Sequence, residues 1–387
     1  MWVLIVHGCT SDARRPATNA SASDTIVAER LALIGQVDGA PEYLFGDVTS
    51  VSVGPGPVIY VADRIASTVR AYRTDGSFLG TVATEGQGPG ELEWPNDLSF
   101  DPVGRLYVRD AYRITVFARP DGGEIADSLV RTTRISGYAN LSSTRARSDG
   151  TRYFYPTSSF RDGEPDRYFY LVYDSVEVTS DTVAVPGLPN LEFLRSATYR
   201  TSARGGRMVN GVNRVPFEPV ASWDITATGS LFTSTGDRYE VVEWTSEGDT
   251  ASVTRIRVAP RPIPSAERGD SARSFQQRID SLPVRLEDML GMSESARAGL
   301  LPNFLPEILA THATSEGTLW LRRWPAERDQ TLFDVVELLD GSRHAVLIGA
   351  DLLLDPPPYV SNDFVVGVVQ DPLTEVERVA VFGLEGP

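Results

Sequence analysis

Six arginines recur at the points where one short β-run gives way to the next: Arg64, Arg113, Arg161, Arg238, Arg322 and Arg323. A guanidinium offers a planar fork of donors that matches a carboxylate or phosphate, so arginines repeated at equivalent turns could gather into a site for an anionic ligand. Asp63, Asp110, Asp162 and Asp237 are interleaved with them. Local ion pairs are therefore the competing reading. All 36 basic side chains are arginine, against 52 acidic ones and a formal net charge of −16. The missing lysine excludes Schiff-base and Ser-Lys mechanisms. An acidic surface also argues against nucleic acid, which requires a concentrated positive field.

Other chemistries lack carriers. His7, His312 and His344 are too few and too scattered for a zinc site. There is no Gly-x-Ser-x-Gly elbow, and Cys9 falls outside the folded part of the chain. Gly86-Gln87-Gly88-Pro89-Gly90 is followed by a β-run, whereas a phosphate cradle needs a strand before it and a helix after it. Turn chemistry explains that segment. Asp63 and Asp110 each end a second strand, where a carboxylate can cap the backbone of the next turn. These observations favour a non-catalytic binding protein.

The elements that would position such residues form a repeat. Gly104-Arg105-Leu106-Tyr107, Gly150-Thr151-Arg152-Tyr153, Gly229-Ser230-Leu231-Phe232 and Gly317-Thr318-Leu319-Trp320 share a glycine, two intervening residues and an aromatic. Pro57-Val58-Ile59-Tyr60 is a degenerate copy; Tyr60, Tyr107 and Tyr153 are spaced by 47 and 46 residues. Four short strands in about 45 residues is the unit of a β-propeller blade. Blades are expected at about 48–82, 97–130, 138–185, 223–258 and 308–348, with an irregular stretch at 186–219. The last segment, 352–384, holds about three strands, and 26–34 is an unpartnered strand that can complete a sixth blade. The expected fold is thus an all-β, six-bladed propeller over 26–387 that closes through both ends of the chain.

Between blades four and five, 265–301 has helical character. Ala272, Phe275, Ile279 and Leu282 share one helical face, Pro283 interrupts, and Leu286, Met289 and Leu290 resume. Two or three short helices are expected. Their link lies on the face of the second-to-third-strand turns, so they should overhang the arginine-bearing mouth of the central channel.

At the N-terminus, Trp2-Val3-Leu4-Ile5-Val6 and then His7-Gly8-Cys9 resemble the end of a bacterial lipoprotein signal, with a small polar run after the cysteine. This implies a truncated signal with its lipobox at 1–9, lipidation at Cys9 and a flexible tether at 10–25. It also implies a location outside the cytoplasm in a bacterial envelope, lipid-anchored or periplasmic, with a start codon upstream of Met1. The lipid would be the only link to a membrane. A single cysteine permits no internal disulfide.

Tyr60-Val61-Ala62-Asp63, Val69-Arg70-Ala71-Tyr72, Asp75-Gly76-Ser77-Phe78 and Gly86-Gln87-Gly88-Pro89-Gly90-Glu91-Leu92 resemble the NHL-type repeat of six-bladed propellers, many of them bacterial lipoproteins. The resemblance implies a monomeric scaffold that binds an unidentified protein or small molecule without a cofactor. Arg64, Arg113, Arg238, Arg322 and Arg323 are its candidate ligand-binding residues at the channel mouth. Trp94-Pro95-Asn96-Asp97-Leu98, with Asp101 to Tyr107 after it, is similar to a segment of the gluconolactonase and regucalcin propellers. That second resemblance implies an alternative, a divalent-metal-dependent hydrolase or lactonase in which Asn96 supplies an oxygen to calcium. Calcium needs six or more oxygens; Asn210 and Asn303 are possible companions.

Overall fold

A computed structural model of the chain describes residues 25–384 apart from several stretches, the longer ones being 135–144, 147–151, 175–179, 189–196, 203–207, 282–288 and 291–300. Cys9, the signal and the tether to residue 24 lie outside the described residues.

The chain enters through β1 (Thr25–Val27) and β2 (Glu29–Ile34). Sheet I follows as β3 (Val48–Gly54), β4 (Val58–Asp63), β5 (Thr68–Tyr72) and β6 (Phe78–Ala83). Sheet II is β7 (Pro95–Phe100), β8 (Leu106–Asp110), β9 (Arg113–Phe117) and β10 (Leu129–Arg134). Sheet III is β11 (Arg145–Ala146), β12 (Arg152–Arg161), β13 (Glu164–Asp174) and β14 (Ser180–Ala184). Next come the hairpin β15 (Ala197–Ser202) and β16 (Met208–Asn213), then sheet V: β17 (Ser222–Ile225), β18 (Leu231–Ser234), β19 (Glu240–Trp244) and β20 (Thr250–Arg255). Helix α1 (Ser265–Asp280) and the short β21 (Met289–Leu290) precede β22 (Ala310–Ala313), β23 (Thr318–Arg323), β24 (Thr331–Glu337) and β25 (Arg343–Ile348) of sheet VI. Sheet VII is β26 (Tyr359–Val360), β27 (Phe364–Gln370) and β28 (Glu377–Gly383), completed by β2. The three strands β16-β15-β21 make sheet IV.

This is an all-β propeller. Apolar side chains from consecutive sheets interlock: one cluster joins sheets I and II through Tyr60, Leu98 and Val108, and another joins VII and I through Val368, Val381 and Ile59. Further clusters join V to VI through Phe232, Leu319 and Leu321, and VI to VII through Trp320, Phe333 and Phe382. Burial of sheet faces against the next sheet is the dominant stabilising term.

Closure uses both ends of the chain, as expected: β2 pairs antiparallel with β28, Leu33 opposite Ala380 and Ile34 opposite Val379. The N-terminal segment is not one strand, however. It divides at Ala28, and β1 pairs parallel with β25, Ile26 opposite Val346. In consequence five sheets have the four-stranded form, one fewer than the six expected. Sheet VI carries β1 as a fifth strand, and sheet IV has three strands. The physical reason is the free edge of β25, whose outward backbone groups β1 satisfies.

The helical segment also departs from expectation. Among the described residues it holds one continuous helix, with Phe275 buried and Ala272 exposed. Met289 and Leu290 do not resume a helix; they form β21, Met289 opposite Tyr199 and Leu290 opposite Thr198. Pro283 bars helix continuation, and the edge of β15 offers unpaired backbone groups that an extended segment can take up. The rest of the segment lies outside the described residues. No helix among the described residues is long and apolar enough to cross a membrane.

Candidate ligand cavity in the channel

The repeat signature fixes which side chains reach the channel. Its glycines adopt positive φ, +85° at Gly104, +94° at Gly229 and +86° at Gly317, and reverse the chain from the first strand of a sheet into the second. Three residues later the aromatic turns inward and is at most 1% exposed: Tyr60, Tyr107, Phe232 and Trp320. Each pairs directly with the residue five positions before the first residue of its signature: Ser52 opposite Tyr60, Ser99 opposite Tyr107, Asp224 opposite Phe232, and His312 opposite Trp320. Those four first-strand residues, one per sheet, all line a cavity of about 540 Å³.

The cavity runs along β3, β7, β17, β22 and β26 toward the face that carries the first-to-second-strand turns. Pro55, Pro102, Pro358 and Tyr359 wall it, with Arg119 and Glu316 exposed within its lining. Gly54 is a glycine by necessity, because a Cβ there would stand 2.6 Å from the Phe100 ring and 2.8 Å from that of Tyr60.

Its buried charges are carboxylates. Asp97 accepts a hydrogen bond from Ser50 Oγ at 3.2 Å and lies opposite buried Arg109 in the β7–β8 pairing. Asp224 accepts the Ile225 N–H at 2.8 Å and, across sheets, the Ala313 N–H at 2.9 Å, which ties β17 to β22. Asp101 is held by the Val103 and Arg105 N–H groups, Arg105 Nε and Tyr107 Oη–H, so it braces the turn at Gly104. Burial, and then the Asp101 charge beside it, raises the Tyr107 phenol well above its usual range. Ser99 differs from all of these. It is 7% exposed, and its Oγ has no hydrogen-bond partner among the described residues.

The arginine candidates stand elsewhere. None of Arg64, Arg113, Arg238, Arg322 and Arg323 lines the cavity. Arg64 pairs with Asp47 and lies over the Trp94 ring, 5.4 Å from its centroid. Arg113 binds Asp110 at 2.7 Å and Glu93 at 3.5 Å. Arg322 is buried and donates to the Leu352 and Leu353 carbonyls, with Asp351 at 3.4 Å. Burial draws its guanidinium down to about 10, still charged at neutral pH. Arg323 binds Asp334 at 3.1 Å and covers Tyr239, while Arg238, largely exposed, has Asp237 at 3.7 Å. Of the expected turn caps, Asp63 holds the turn after its strand, whereas among the described residues Asp110 holds the link before β7 instead. Asp63 accepts N–H groups from Gly46, Asp47, Ile65 and Ala66, and Asp110 those of Glu93 and Trp94.

Helix α1 and the segment before it reach the β23–β24 turn through polar contacts. Glu267 meets Arg328 at 3.2 Å, and Arg261 donates to the Trp324 and Pro325 carbonyls in the β23–β24 turn. Asn96 sits at a bulge between Pro95 and Asp97, outside the cavity lining, with Nδ2 buried and unpartnered among the described residues. Asn303 accepts from Arg268 at 2.7 Å, and Asn210 lies on β16. Among the described residues no three His, Cys, Asp or Glu side chains stand close enough to hold a metal ion.

Sequence reasoning missed Ser52, Ser99, Asp224 and His312 as a set. The signal was present as a constant offset of five residues from the signature.

No family model matches the chain, and no curated protein matches its sequence. Its fold is similar to solved structures. One is that of a candidate exported protein from Bacteroides fragilis, 12% identical with a TM-score of 0.51, covering 96% of this chain and 98% of that one. Others are U3-55K, 14% identical over 90% of this chain and 97% of that one with a TM-score of 0.47, and a streptogramin B lyase, 10% identical over 91% and 96% with a TM-score of 0.41. At such identities the likeness is one of fold, a β-propeller.

Proposed function

We propose that this chain is a non-catalytic binding propeller that takes a small molecule into its channel cavity. One observation carries the reading: first strands of five sheets converge on a cavity of about 540 Å³, and in four of them the repeat sets a side chain of matched position into its lining. A cavity of this size suits a drug-sized ligand. The location is outside the cytoplasm with Cys9 as a lipid anchor, supported by the order of apolar run, small residue and cysteine at the N-terminus. The exported-protein candidate of similar fold is consistent with that location.

A fragment library read by thermal shift tests the binding reading, since a ligand that binds only the folded state stabilises it by mass action. Ser99→Phe, which fills the cavity, should abolish the shifts seen with the native chain. Hits that survive Ser99→Phe unchanged would place binding elsewhere. For the anchor, Cys9→Ser in the full-length precursor should release the protein from the membrane fraction; equal fractionation of both forms would refute it.

A further inference from the structure

We infer that the ligand of the channel cavity is a small organic cation, an ammonium or guanidinium group carried on an apolar body. This rests on the reading that the cavity binds a ligand at all. The charged groups buried in its described lining are all carboxylates, and two of them, Asp97 and Asp224, come from different sheets. Arg119 and Glu316, one of each sign, are exposed in the lining and leave that balance negative.

Acidic side chains alone would not define a site. The independent sign is the Ser99 hydroxyl, buried beside the cavity with no partner among the described residues. Leaving such a group unpaired is unfavourable, and a bound N–H donor would remove that penalty. Rotation about one bond redirects it between staggered positions. A cation with several N–H donors fits this surrounding: it donates to the Ser99 oxygen and is held chiefly by the field of Asp224, since Asp97 lies opposite the buried Arg109. An anion would meet buried like charge, and a neutral alcohol would gain no ionic attraction to the carboxylates. Tyr359 and the neighbouring prolines supply the wall for an apolar body.

The test uses the folded chain and four probes of similar size in calorimetric titration: benzamidine, tyramine, benzyl alcohol and benzoate. The two cations should bind, benzyl alcohol roughly tenfold more weakly or worse, and benzoate least. Added salt should weaken the cations. Ser99→Ala should cost benzamidine severalfold in affinity and Asp224→Asn roughly tenfold. Because Asp224 also bridges two strands, the Asn variant counts only if its melting is cooperative; Ser99→Ala removes one unpaired hydroxyl and serves otherwise. Equal or tighter binding of benzoate or benzyl alcohol overturns the cationic class while leaving the cavity reading intact. Absence of binding by both cations at millimolar concentration overturns it too. If the fragment screen also yields no hit sensitive to Ser99→Phe, the cavity reading falls with it.

Discussion

Trp320 stands directly opposite His312 in the β22–β23 pairing, one wholly buried and the other lining the channel. The ring packs edge-on against Phe333, 5.5 Å between centroids, in the cluster that joins sheets VI and VII. The aromatic of the signature thus holds the sheet in the ring, and its cross-strand partner is delivered to the cavity.

That division of labour separates stability from binding. Trp320→Ala should cost about 3–5 kcal/mol, as large-to-small changes of buried aromatics do. Chemical denaturation would show it as a lower midpoint. Gly317→Ala should cost about 1–2 kcal/mol, because its φ of +86° strains any L side chain although nothing lies within 4 Å of the new methyl. A Gly317→Ala midpoint equal to the native one would mean that the turn is not held in this conformation.

Asp63 is a second fixed point. It is 1% exposed and gathers four backbone N–H groups from two segments, the link before β3 and the turn after β4. Asp63→Ala should destabilise the chain by about 1–3 kcal/mol, since four partly exposed backbone donors lose a charged acceptor. Hydrogen exchange at Gly46, Asp47, Ile65 and Ala66 should accelerate selectively; unchanged protection there would contradict the cap.

The alkaline limit of stability follows from buried phenols. Burial raises the ionisation of Tyr72, Tyr107 and Tyr239 well above the usual phenol range, and at Tyr239 the neighbouring Asp334 charge adds to it. A raised folded value means that the unfolded chain ionises first, so this stability is complete below about pH 10 and is lost as pH rises beyond it. Tyrosinate absorbance from these residues should appear together with loss of β-sheet signal. Titration of all tyrosines near pH 10 with the fold intact would be the contrary result.

Removing residues 1–34 deletes β1 and β2 and leaves the edge of β28 bare, together with the apolar surface that Ile34 covers. The truncated chain should melt well below the native one. An unchanged melting temperature would show that the ring does not depend on this closure.

Much of the fold was legible because its rules are local. Positive-φ glycines with an aromatic three positions on recur in sheets II, V and VI, and an unpaired strand at one end answers a three-stranded remnant at the other. The division of the N-terminal strand at Ala28 was not legible, because it depends on the edge of β25, more than 300 residues away in sequence. Nor was the pairing of Met289–Leu290 with β15, which needs an edge from another insertion. At the site, arginines drew notice by their type and by recurrence at turns, yet each described one is engaged by a nearby acid. The cavity residues are of four unlike positions in chemistry, two serines, an aspartate and a histidine, and share only an offset. Their common role emerges from strand register, which side-chain type does not reveal.

The ligand enters the ring through one face or the other. A crystal structure of the native chain soaked with its tightest-binding fragment answers that directly. Density is expected inside the channel, with a donor of the fragment within hydrogen-bond distance of Ser99 Oγ and close to Asp224. Density instead among Arg64, Arg113, Arg238 or Arg323, with the channel unchanged, would contradict that expectation.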